Sequence, residues 1–126
     1  MKDESSIYEE YFDYSKKYTE MHGPKTVVCM QVGSFYEIYG LKYPNSDVIT
    51  GSLISEISDI TGLSVVSKKD IYKGATVYMS GFRDLYHTFD KYLQIMMEQA
   101  YIVVEIVQDP DDPNTEIKKK KKTHSF

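Results

Sequence analysis

Apolar positions at the start of the chain recur at helical spacing. Ile7, Tyr11, Tyr14, Tyr18 and Met21 lie four and three residues apart, with Tyr8, Phe12 and Ser15 beside them. One helix face collects them all. Ser6 and Glu9 have the spacing of a capping box, and Gly23-Pro24 ends the run. From Thr26 the pattern changes. Thr26-Val27-Val28-Cys29-Met30 is apolar and β-branched, which predicts a buried strand. Gly33 interrupts it, the mark of a turn or bulge. Phe35-Tyr36-Glu37 follows, and strand alternation puts Phe35 and Glu37 on one face, with Ser34 and Tyr36 on the other.

Gly40 to Ser52 reads as a loop turning at Pro44-Asn45-Ser46. Ile54, Ile57 and Ile60 predict a short helix closed by Gly62. Leu63 to Ser67 is strand-like, Lys68 to Gly74 reads as a polar connection, and Ala75 to Met79 is a strand ended by Ser80-Gly81. Thr88 fits an N-cap. Phe89, Tyr92, Leu93, Met96, Met97 and Ala100 then share the clearest amphipathic face in the chain. Tyr101 to Val107 is a nearly continuous apolar run, as in a central strand. The expected fold class is therefore mixed α/β (α+β): a mixed sheet of about five strands surrounded by about three helices. Residues 1–108 form the expected domain. Residues 109–126, acidic and turn-rich and then basic from Lys118 to Lys122, read as a solvated, mobile linker toward a further domain.

Composition narrows the chemistry. The 126 residues carry a net charge of −4, with 14 lysines and Arg83 as the single arginine. A free-standing, high-affinity nucleic-acid binder is usually basic, so such a role would need a larger protein to deliver the module. Twelve tyrosines and no tryptophan suit a half-wet core or a contact surface. Cys29, the lone cysteine, reads as an inert buried thiol in a reducing, intracellular compartment. No apolar run approaches the ~20 residues of a membrane span, and MKDESS does not resemble a secretory signal.

Catalytic and cofactor motifs are weak. Gly23-Pro24-Lys25-Thr26 lacks the upstream glycine and the Gly-Lys pair of a phosphate loop. His22, His87 and His124 are scattered, which gives no zinc pattern. Asp109, Asp111 and Asp112 lack the glycine of a calcium loop. Most remaining acids fall on helix faces. The expectation is a chain that is not an enzyme and binds no cofactor or metal itself.

Val32-Gly33-Ser34-Phe35-Tyr36-Glu37-Ile38-Tyr39 resembles the Met-Gly-Asp-Phe-Tyr-Glu stretch in the N-terminal mismatch-recognition domain of the MutS family of DNA mismatch-repair proteins. Met79-Ser80-Gly81-Phe82 is similar to that family's Met-Ala-Gly segment. Asp90-Lys91-Tyr92-Leu93 resembles its Tyr-Leu helix, and Tyr101 to Gln108 its last strand. The matches keep their order over residues 8–108. Ser34 stands for the usual Asp, Gln31 near the usual Arg, Arg83 where Pro is frequent, and Ala100 for the helix-ending Gly.

The resemblance implies that Phe35 is a base-stacking wedge and Glu37 a base-hydrogen-bonding acid, with Lys68, Lys69 and Arg83 as weaker candidates for DNA contact. It implies as partners double-stranded DNA with mismatches or small loops and the remaining domains of a parent protein. That parent would be a dimer through domains absent from this chain, with ATP and magnesium in its C-terminal domain. The competing expectation is a structural or protein-interaction domain of a MutS-like protein that has lost mismatch reading. Lys25, Lys42 and Lys73 read first as solubilising charges.

Overall fold

A computed structural model describes residues 4–108 and 119–125. Among them are helices α1 (Glu4–His22), α2 (Ile54–Thr61) and α3 (Thr88–Glu98). The strands are β1 (Thr26–Val32), β2 (Phe35–Lys42), β3 (Val66–Tyr72), β4 (Ala75–Arg83), β5 (Ile102–Gln108) and β6 (Lys119–His124). They form one sheet in the order β3-β4-β2-β1-β5-β6. β5 runs parallel to β1 and the other pairs are antiparallel, so the sheet is mixed, as the pattern predicts. No helix among the described residues is long and apolar enough to cross a membrane.

Helices cover both faces. Tyr8 and Tyr11 of α1 each set a ring edge-on to Tyr39 of β2, 5.2 Å between centres. The Tyr11 hydroxyl donates to the Val28 carbonyl of β1 at 2.8 Å. Tyr36, three residues before Tyr39, faces the other way and meets Phe89 of α3 at 4.5 Å. Gly40, on the Tyr36 side of β2, lets α2 approach: a Cβ there would lie 2.7 Å from Ile54 Cγ2 and 2.4 Å from Ile49 Cγ2. The buried stripe of α1 is Tyr8, Tyr11, Ser15 and Tyr18. It is rotated by about one position from the predicted stripe, and Met21 is left exposed.

Several boundaries differ from the pattern, mostly because strand pairing overrides local composition. α1 already includes Glu4 to Ser6, so Ser6 and Glu9 lie inside the helix rather than at its start. β2 continues through Gly40 to Lys42, and β4 continues through Ser80-Gly81 to Arg83, because the two strands pair along their whole length. The segment read as a polar connection is strand β3. It carries its charges on a sheet edge, where they discourage further pairing, and a bulge between Ser67 and Ile71 absorbs the irregular spacing. Leu63 to Val65 precede that strand. The N-cap of α3 is His87, and Thr88 is the first helical residue.

The C-terminal lysines also differ from expectation. Residues 109–118 lie outside the described residues. Lys119–His124, read as linker, pairs antiparallel with β5 and adds a sixth strand. Lysine is tolerated there because β6 is an edge: Lys121 and Lys122 are exposed.

Ala100 turns the chain from α3 into β5 at φ 64°, a left-handed conformation that costs an L-residue roughly 1–2 kcal/mol. Ala100→Gly should stabilise the fold by about 1 kcal/mol and raise the unfolding temperature by a few degrees; thermal melts showing a drop would contradict this. Cys29 is fully buried in β1, and burial, then the nearby Glu105 carboxylate, pushes its thiol up from 9.0 to about 12. The native state keeps a proton that the unfolded chain releases. Its contribution is thus full below pH 9 and declines as pH rises toward 12. A thiol reagent at pH 8 should leave the folded protein unlabelled and label it on denaturation. Labelling of the folded protein at the denatured rate would contradict this burial.

Candidate nucleic-acid interface

Tyr36 fixes how β2 presents its neighbours. Its ring is buried against Phe82 and Phe89, and its hydroxyl donates to Glu105 Oε2 at 2.6 Å. Burial, then the hydrogen bond and charge of Glu105, drive its pKa far above the usual tyrosine value. Glu105 is itself buried on β5, with His124 Nε2 of β6 3.0 Å from its other oxygen. A carboxylate inside a sheet needs such partners, since desolvation without them is strongly unfavourable. With Tyr36 held on the α3 face, Phe35 and Glu37 point to the α1 face.

Phe35 is the first residue of β2 and is 40% exposed. Arg83 is its cross-strand partner, and the guanidinium lies 5.8 Å from the ring centre. A shallow recess beside the ring is lined by Gly62, Leu63, Ser64, Val66, Met79 and Gly81. Glu37 sits one rung further in and is half-buried. It accepts a hydrogen bond from the Tyr39 hydroxyl, which orients the carboxylate, and it borders a recess shared with Ile7, Tyr8, Val32, Tyr39 and Lys68. Gly81, opposite Glu37, is required by close approach: a Cβ would stand 2.7 Å from the Tyr36 carbonyl oxygen.

The sequence candidates are thus partly assembled. Arg83 joins Phe35, and Lys68 joins Glu37. Lys69 is exposed on the β3 bulge at φ 60° and lines neither recess. Lys25 is used elsewhere: its Nζ donates to the Gln99 carbonyl at 2.7 Å and lies 4.3 Å from the Tyr101 ring centre. Lys42 ends β2 away from Phe35, and Lys73 is in the β3–β4 turn.

Register adds residues that the linear sequence did not connect to this end of the sheet. Val32 pairs with Phe35, and Met30, two residues before it, pairs with Ile106 of β5. Ile106 pairs in turn with Lys121, and Gln108 with Lys119. The basic edge strand therefore begins on the same side of the sheet as the Phe35 ring. Lys121 occupies the cross-strand row of Glu37, and its Nζ lies 5.5 Å from the Tyr14 ring centre. Tyr39, Glu105 and His124 were also missed as supports. The signals were present: Tyr39 is two residues from Glu37, and Glu105 is a lone acid in an apolar run.

No family model matches the chain. The chain is 28% identical over 116 residues to a putative DNA mismatch repair protein, a mutS homolog, of Acanthamoeba polyphaga mimivirus. That match takes in 88% of this chain and 10% of the viral protein. The chain thus spans about a tenth of the relative's length and is similar to a part of a MutS homolog.

Proposed function

We propose that this chain is the mismatch-reading module of a MutS-like protein, in which Phe35 wedges against a mispaired base and Glu37 hydrogen-bonds it. One observation carries the reading: Phe35 and Glu37 share the α1 face at one end of the sheet, half-open to solvent, while Tyr36 between them is anchored to buried Glu105. The pairing of Phe35 with Val32 and Arg83 at the first rung of β2 keeps the ring at the open end of that face.

The selection would be energetic. Inserting a wedge breaks base stacking, at a few kcal/mol per step. A mispaired or unpaired base has already lost part of that stacking, and flexible steps kink more readily. Stacking on the ring returns roughly 1–3 kcal/mol for any base. The preference is then for deformability rather than sequence. Glu37 would add a second filter. Its carboxylate repels phosphates of an undistorted duplex, and the field of those phosphates favours its protonated form, which can donate to a base nitrogen. Arg83 and Lys68 would offset the acid's repulsion beside the backbone.

The parent protein belongs to the same proposal: a dimer through its other domains, with ATP and magnesium held in a C-terminal domain. The alternative, a MutS-like structural module that no longer reads mismatches, is decided by the same experiment. In the full-length protein, Phe35→Ala should lower the affinity for a mismatched duplex by roughly 5- to 150-fold, the equivalent of one stacked ring. Affinity for matched duplex should change little. Glu37→Gln should bind matched duplex more tightly than the parent sequence does. Competition binding in which both variants keep the original mismatch preference would favour the structural module.

A further inference from the structure

The segment between β4 and α3 has no part in the reading above. It leaves the sheet beside Phe35. Phe35 and Arg83 are paired, and the next rung is the Asp84 N–H donating to the Ser34 carbonyl at 2.8 Å. Leu85 and Tyr86 follow at once. Leu85 is 45% exposed and Tyr86 95% exposed. By contrast Tyr8, Tyr11, Tyr18, Tyr36, Tyr39 and Tyr101 are buried.

This exposure is imposed by the local fold. Tyr86 and His87 both take positive φ, 48° and 65°, conformations that cost non-glycine residues about 1 kcal/mol or more each. Both ends of the turn are tied. The Leu85 N–H donates to the Arg83 carbonyl at 3.1 Å, and the Thr88 N–H donates to the Leu85 carbonyl at 2.9 Å. The Thr88 hydroxyl donates to that same carbonyl, and His87 Nδ1 lies 3.4 Å from Asp90 Oδ2. Backbone strain that persists on a surface, holding an aromatic ring in water, is unfavourable unless something covers the ring.

We propose that Tyr86 is a second stacking platform, for an unpaired nucleobase displaced from the duplex that Phe35 enters. This rests on the reading of Phe35 given above. Chain geometry limits Tyr86 to about 11 Å from Arg83, three residues away. Arg83 is one strand spacing, about 5 Å, from Phe35. The two backbone positions are therefore at most about 16 Å apart, roughly five base steps at about 3.4 Å per step along one strand. The chemistry of the turn favours a base over a phosphate. Asp84 and Asp90 lie two residues before and four residues after Tyr86 in the chain and would disfavour a phosphate there, whereas a base stacks on tyrosine without regard to sequence.

The test uses the full-length protein and a duplex carrying one unpaired 2-aminopurine, whose fluorescence falls when it stacks. The original protein and Tyr86→Phe should quench the probe and bind alike. Tyr86→Ala should bind the bulged duplex at least 5-fold more weakly and leave the probe brighter, with matched-duplex affinity and melting temperature unchanged. The inference is overturned if Tyr86→Ala binds the bulged duplex within twofold of the original while Phe35→Ala loses its preference. It is also overturned if Tyr86→Ala alters subunit assembly with DNA binding intact, which would give the loop to a protein partner. If Phe35→Ala keeps its preference, the wedge reading falls and the second platform falls with it, whatever Tyr86→Ala does.

Discussion

A hydrogen bond inside the sheet, from Tyr36 on β2 to Glu105 on β5, decides which residues of β2 reach the surface. Glu105 would be a severe liability there alone, since an unpaired buried carboxylate is strongly destabilising. With Tyr36 on one oxygen and His124 at the other, it ties β2, β5 and β6 together across the intervening β1. Removing any partner would leave a desolvated polar group rather than a simple gap, a loss of about 1–3 kcal/mol. The site at Phe35 and Glu37 inherits its rigidity from this network and from the aromatic packing of Tyr36 on Phe82 and Phe89.

The α1 face is supported in the same manner. Tyr39 orients Glu37 and is itself held by the rings of Tyr8 and Tyr11. Arg83 lies against Phe35, and glycine at position 81 lets β4 lie close enough to do this. A wedge needs such backing. If the ring could rotate away, the strain of entering a stacked duplex would move the protein rather than the bases. On the proposed reading, a ring backed in this way would transfer that strain to the duplex, where a faulty pair would yield first.

Much of this could be read from residue order, for identifiable reasons. Tyr101 to Val107 announces a central strand because both its faces are covered. The α3 stripe announces itself because Phe89 and Met96 sit under a helix with a polar back. Alternation in β2 separates Phe35 and Glu37 from Tyr36 without any tertiary knowledge. Edges were less legible. β3 and β6 are charged strands whose existence depends on pairing with β4 and β5, and five consecutive lysines carry no strand signal of their own. Ser6 and Thr88 show the limit of capping signals: each has the right residue type, yet the helix begins before one and immediately at the other. Glu105 stands out as a lone acid in an apolar run, but its partners could not be read off, because His124, Glu105 and Tyr36 come from three distant segments. Only the sheet order brings them together.

The central claim is that the side chain at position 35 touches the faulty base itself. The direct measurement replaces Phe35 in the full-length protein with a photoreactive benzophenone amino acid and maps crosslinks on a duplex with one mismatch. The account predicts crosslinks concentrated on the mispaired nucleotide and its immediate neighbour, and lost when the mismatch is repaired. Crosslinks spread evenly along the duplex, or formed only to protein, would contradict it.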